Sequence, residues 1–200
     1  MKKYIKYLLL IGIILFFVIG LNWPGNTKKM SGKHNVEISI KDYGKIKLEL
    51  DADTAPITVQ NFISLINEKF YDGLTMHRII DGFMIQGGDP NKDGTGGSEK
   101  TIKGEFSANG IKNNISHKRG VISMARNSYS MDSASSQFFI VHKDSPHLDG
   151  QYAAFGKVTS GIEIVDKIVL GVSELGDDNG LIPKDKQPVI EYIKEIEKGK

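Results

Sequence analysis

From Val36 onward the apolar positions fall in short runs, and most of them repeat every second residue. VEISI (Val36–Ile40) and KIKLEL (Lys45–Leu50) alternate and predict a strand pair about Asp42-Tyr43-Gly44. The period lengthens in DTAPITVQNFISLINEKF, where Val59, Phe62, Ile63 and Ile66 share one helical face; Asp53 or Thr54 is placed to cap it and Pro56 suits its first turn. MHRIIDGFMIQGGDP (Met76–Pro90) returns to period two around Asp81-Gly82, a hairpin signal because such turns need a positive φ that glycine adopts without strain. Asp89–Asn114 is long, polar and glycine-rich and predicts an extended loop. GVISMA, SQFFIVH and YAAFGKV predict three further strands, and GIEIVDKIV predicts a helix with Ile162, Val165 and Val169 inward. The tail PVIEYIKEIEK is ambiguous: Val189, Tyr192, Ile193 and Ile196 fit helical spacing better than strand spacing. Many short strands with two helices indicate an all-β barrel or sandwich with covering helices.

The N-terminus departs from this pattern. Three lysines precede Tyr7–Leu21, fifteen apolar residues, a length between a signal-peptide core and a full membrane span. Residues 1–21 therefore read as a signal peptide or a membrane anchor, and residues 22–35 (NWPGNTKKMSGKHN) as a polar linker to a domain over 36–200. Either reading puts the body outside the cytoplasm, anchored in the membrane or secreted, with the lysines inside. The chain has no cysteine, so such a body is held by packing alone. The first 35 residues carry six lysines and no acid, which leaves 20 basic against 24 acidic residues in the remainder. A slightly acidic body does not supply the basic face that nucleic acid requires.

Most of the chemistry suggested by short motifs fails on inspection. DPNKDGTGGSEK begins like a calcium loop with Asp89, Asn91, Asp93 and Gly94, but its twelfth position is Lys100 where a bidentate carboxylate is needed. GTGGS lacks the ending of a phosphate loop. The five histidines form no helical metal pair, and no serine sits in a nucleophile elbow. What remains is a set of donors and apolar surfaces without a nucleophile: Arg78, Phe83, Met84, Gln86, Gln137 and Phe139. By pattern alone, a structural arginine facing water is the simpler account of Arg78, and a cleft-facing one the alternative.

FYDGLTMHRIIDGFMIQGGDP, GVISMAR, SSQFFIVH and HLDGQYAAFGKV, in this order, closely resemble cyclophilins of bacterial type, which are peptidyl-prolyl cis-trans isomerases. The resemblance runs from about Val36 to the C-terminus. It implies a mainly β fold, an eight-stranded closed antiparallel barrel with two covering helices, and so a strand for the tail. It implies that Arg78 is catalytic and that Phe83, Met84, Phe139 and Leu148 line a proline pocket. Gln86 would orient Arg78, and Gln137 with the backbone at Ala125 and Arg126 would grip the peptide. A two-residue turn pairs Arg78 with Ile85 and sends Gln86 to the opposite face, so a bulge or longer turn near Asp81–Phe83 is needed. His147 and Tyr152 complete the substrate-binding set. They stand where cyclosporin-sensitive members have tryptophan and where many members have histidine, which implies weak cyclosporin binding. The implied partners are proline-containing unfolded or flexible polypeptides, and the membrane through residues 1–21 if uncleaved. The implied protein is a monomer that needs no cofactor or metal and assists the folding of exported or surface proteins. A proline-peptide chaperone or scaffold with little turnover is the alternative, and an unrelated sugar- or calcium-binding barrel a third.

Overall fold

The alternating segments form strands. The computed structural model describes residues 29–197; the apolar run Tyr7–Leu21 lies outside them. Strand β1 (Lys33–Ile40) pairs with β2 (Gly44–Asp51), and β1 takes in Lys33–Asn35, which the polar composition assigned to a linker. Those residues are tied down: Ala52 N–H donates to the Gly32 carbonyl at 3.0 Å, and Lys33 Nζ meets Asp51 Oδ2 at 2.6 Å. The remaining strands are β3 (Met76–Ile80), β4 (Met84–Gly87), β5 (Val121–Met124), β6 (Phe138–Val141), β7 (Ala154–Ser160) and β8 (Ile190–Ile196). All pair antiparallel in the order β3-β4-β6-β5-β7-β2-β1-β8.

The expected closed barrel is corrected by this ladder, which is an open, curled sheet with β3 and β8 at its edges. The edges meet at one corner. Met76 N–H donates to the Pro188 carbonyl at 2.9 Å, and Ile190 exchanges 2.8 Å bonds with Gly73 and Leu74. From Ile190 onward the chain runs along β1, and its free edge forms no ladder with β3. The outer edge of β3 is covered instead by residues 180–182: Ile79 N–H donates to Gly180 at 2.8 Å and Ile182 N–H to His77 at 2.9 Å. Covering an edge in this way removes a template for unwanted strand pairing.

Helix α1 (Pro56–Asn67) buries the expected face, Val59, Phe62, Ile63 and Ile66. Neither Asp53 nor Thr54 caps it. The N-cap is Ala55, and the Glu105 carboxylate accepts from the N–H groups of Ile57 (3.1 Å) and Thr58 (2.8 Å) and from the Thr58 hydroxyl (2.8 Å). Helix α2 (Ile162–Val172) buries Ile164, Val165, Ile168, Val169 and Val172, and Ile162 lies at the margin of that stripe. The helices and one face of the sheet enclose a core centred on Phe62, whose ring lies 5.1–5.4 Å from Tyr71, Phe138 and Phe155.

Strand alternation then builds a second, smaller cluster on the opposite face. Ile85 and Phe138 point into the core. Their neighbours Met84 and Phe139 pack instead with Val121, Val141, Leu148 and Ala154. The candidate site stands on this outer cluster.

Candidate active site

The connection between β3 and β4 has three residues, Asp81–Phe83, and the positive φ falls on Gly82 (71°). Arg78 therefore stands directly opposite Gln86, and both face the outer cluster. The longer turn supplies what a two-residue turn could not. A second irregularity lies at His77, which has no partner between the Met76–Gly87 and Arg78–Gln86 pairs.

Between these strands and β6 opens a cleft of about 410 Å³. Its apolar wall is Phe83, Met84, Phe139 and Leu148, and Arg78, Gln86, Ala125, Arg126 and Tyr152 complete the part legible in the sequence. Gln137 lies in an adjoining cleft, and His147 is exposed outside the lining with its ring 5.5 Å from Phe83. The lining also contains His77, Asp93 and Gly94, and Asp177, Asn179 and Leu181 from the segment before β8. Asp93 and Gly94 come from the calcium-like segment and His77 from the hairpin, none of them singled out for this cleft; Asp177, Asn179 and Leu181 carried no motif, and DDNG reads only as a turn.

Half-buried Arg78 is held from two sides. Its Nε donates to the Asn179 carbonyl at 2.7 Å and its Nη1 to Gln86 Oε1 at 3.3 Å. The amide of Gln86 donates to Gln137 Oε1 at 2.8 Å, and Gln137 Nε2 donates to the carbonyls of Gly96 (2.7 Å) and Gly94 (3.1 Å). The glycine carbonyls accept only, so they fix the orientation of both glutamine amides and turn the Gln86 oxygen toward Arg78. Arg78 Nη2 has no hydrogen-bond partner among the described residues. Burial lowers the Arg78 pKa, opposed by Tyr152 and Asp177, and an arginine so placed keeps its charge.

Behind Phe139 the His117 ring stacks at 6.0 Å and 17°. Its Nδ1 lies 2.9 Å from Asp149 Oδ1 and its Nε2 3.0 Å from the Ser123 hydroxyl. The order is that of a hydrolase triad, but Ser123 is fully buried, so the set supports the cleft wall and offers no nucleophile. Asp89, first residue of the calcium-like segment, accepts from the N–H groups of Asn91, Asp93 and Gly94, and the Lys184 ammonium lies 2.9 Å from the Asn91 carbonyl. Among the described residues no cluster of three or more potential metal ligands is present.

His77 and His117 give a pH prediction. Burial is the largest cause lowering the pKa of each, with Arg78 adding at His77 and His147 at His117, against Asp89, Asp93 and Asp149. Below about pH 6.5 the unfolded chain binds protons at both more readily than the folded chain, so stability falls as pH drops through that value, ahead of the carboxylates near pH 4. Urea midpoints should decline between pH 7.5 and pH 5, by at most about 1.4 kcal/mol per pH unit for each ring. An unchanged midpoint over that interval would show that both rings take up protons in the folded chain as readily as in the unfolded one.

Comparison with known proteins decides the family. Residues 35–192 match the family model described as cyclophilin type peptidyl-prolyl cis-trans isomerase/CLD. The chain belongs to the cyclophilin family. This cyclophilin is 48% identical over 132 residues to peptidyl-prolyl cis-trans isomerase B of Bacillus subtilis, covering 66% of this chain and 88% of that protein. It is 48% identical over 130 residues to a peptidyl-prolyl cis-trans isomerase of Helicobacter pylori, covering 64% and 76%. A cyclophilin type peptidyl-prolyl cis-trans isomerase of Cryptosporidium parvum superposes with a TM-score of 0.73 at 28% identity, covering 84% of this chain and 100% of the other. The same Cryptosporidium protein in the presence of the dipeptide Ala-Pro gives a TM-score of 0.72. The cyclophilin described here is thus a peptidyl-prolyl cis-trans isomerase.

Proposed function

We propose that this cyclophilin turns over X–Pro bonds in flexible polypeptides that fold outside the cytoplasm, with Arg78 donating to the prolyl nitrogen as the amide twists. The observation that carries this reading is the posture of Arg78: anchored at Nε and Nη1, with Nη2 uncommitted beside an apolar cleft. Planar amides resist rotation by about 18–20 kcal/mol because the nitrogen lone pair is delocalised. At the twisted transition state that pair is localised and accepts a hydrogen bond that the ground state cannot. A donor held there binds the transition state selectively. About 7 kcal/mol of such stabilisation corresponds to roughly a 10⁵-fold acceleration. Phe83, Met84, Phe139 and Leu148 hold the proline ring, Gln137 and the backbone at Ala125 and Arg126 hold the flanking peptide, and no proton changes hands. His147 and Tyr152 at the mouth offer less apolar surface than an indole, which accords with weak cyclosporin binding. The lysines before Tyr7–Leu21 support an anchored or secreted protein.

The test uses the full chain and residues 29–200, the latter retaining the Lys33–Asp51 and Gly32–Ala52 ties. Both should accelerate exchange of a proline tetrapeptide in a protease-coupled or NMR assay. The truncated form should sediment as a monomer, and cyclosporin should inhibit it only at high concentration. Binding of the peptide without acceleration would make the protein a scaffold, and recovery of the intact chain from the cytosol would overturn the location.

A further inference from the structure

Beside the proline cleft lies a second cleft of about 320 Å³, formed by the segment 94–98 and by Arg126, Asn127, Ser133, Ser135 and Gln137. Among the described residues Arg126 is the one charged group in its lining. The guanidinium is fixed on all but one side. It lies 5.3 Å from the Phe106 ring centre and 4.9 Å from that of Tyr152. Its Nε donates to the Gln151 carbonyl at 3.0 Å and its Nη1 to the Asn127 carbonyl at 2.9 Å. Among the described residues no carboxylate pairs with it and Nη2 has no partner. The Ser135 hydroxyl in the same cleft is likewise without a hydrogen-bond partner among the described residues.

These features select a ligand. The lining is glycine backbone, hydroxyls and amides, which gives an aliphatic or aromatic side chain little to pack against. A lysine or arginine entering would meet an unpaired cation. A carboxylate would meet a planar donor edge and a hydroxyl. The guanidinium is already ordered between two rings, so little rotamer entropy is lost on contact. The two clefts share Gln86, Gly94, Ala125 and Arg126, so an extended peptide crosses from one to the other within two or three residues.

We infer that the second cleft receives an acidic side chain of the substrate, within three residues of the isomerised proline, and that Arg126 sets this preference. The inference rests on the peptide-isomerase reading above and names its substrate class. A peptide series with Glu, Gln or Lys at each of three positions on either side of one proline tests it through kcat/KM. At one position Glu should exceed Gln by about tenfold, the worth of a partly exposed ion pair with good geometry, and Lys should be poorest. Arg126→Gln should bring Glu and Gln to parity there, and Arg126→Lys should keep part of the preference. These are ratios within one variant, so a general loss of turnover does not affect them. Ser133→Asp keeps an acceptor for the Asn127 N–H, now 3.0 Å from the serine hydroxyl, and adds an anion to the cleft. It should suppress the Glu preference with Arg126 intact, and it decides the matter if the Arg126 variants do not fold. Turnover of every peptide without a Glu preference, or a preference that survives Arg126→Gln, would overturn the inference. Absence of turnover on all peptides would remove the isomerase reading, and this one with it.

Discussion

Arg78→Lys should lower kcat/KM on proline peptides by a hundredfold or more while shifting the melting temperature by only a few degrees. The arginine serves three acceptors from one plane: the Asn179 carbonyl, Gln86 Oε1 and, through Nη2, whatever enters the cleft. An ammonium keeps the charge but has neither the reach nor the fork, so satisfying the protein acceptors withdraws it from the substrate. Losing one directed donor at a transition state costs roughly 3 kcal/mol, on the order of a hundredfold. KM should change far less, because the apolar wall proposed to hold proline is untouched. Parallel exchange measurements on wild type and variant decide it. A lysine variant within threefold of wild type would reduce Arg78 to a strand residue that happens to border the cleft.

Gly180→Ala is expected to cost about 3 kcal/mol, a fall in melting temperature of about 10 °C, together with about tenfold in kcat/KM. Gly180 has φ +79°, and a Cβ there would lie 2.3 Å from Ile80 Cγ1 and 2.9 Å from the Ile79 carbonyl oxygen. Part of the cost is therefore conformational and part a clash that must push residues 179–182 away from β3. Moving that segment withdraws the Asn179 carbonyl from Arg78, which links the stability loss to turnover. Gly110→Ala is the control: φ is +76° but nothing lies within 4 Å of the added carbon, so about 1 kcal/mol and unchanged turnover are expected. Equal effects of the two substitutions on kcat/KM would show that Asn179 does not position Arg78.

Hairpin, helices and short strands were legible wherever the apolar period was regular, because a buried face imposes that period. It misled where a ladder slips. In β8, Glu191 is an extra residue opposite β1, between the Ile40–Ile190 and Ser39–Tyr192 pairs. The slip puts Ile190 and Ile193 both inward, three residues apart, and imitates a helical stripe in a strand. Only the resemblance to a known family pointed to a strand there, and the same resemblance overstated the closure of the sheet. The α1 cap escaped notice because Glu105 lies 47 residues beyond Thr58. At the site, side chains with distinctive chemistry could be singled out. Asn179 could not, since it acts through a backbone carbonyl, a group every residue carries.

The stitching of residues 179–190 onto β3 also has a bearing on the order of events at the ribosome. Arg78 and the whole apolar wall emerge well before the segment that steadies the guanidinium and seals the strand beside it. A nascent chain halted before Asn179 would own the apolar wall with an unaimed arginine. The guanidinium is therefore aimed only once residues 179–190 have joined β3, and the site cannot work from a preformed state on the prolines made before them.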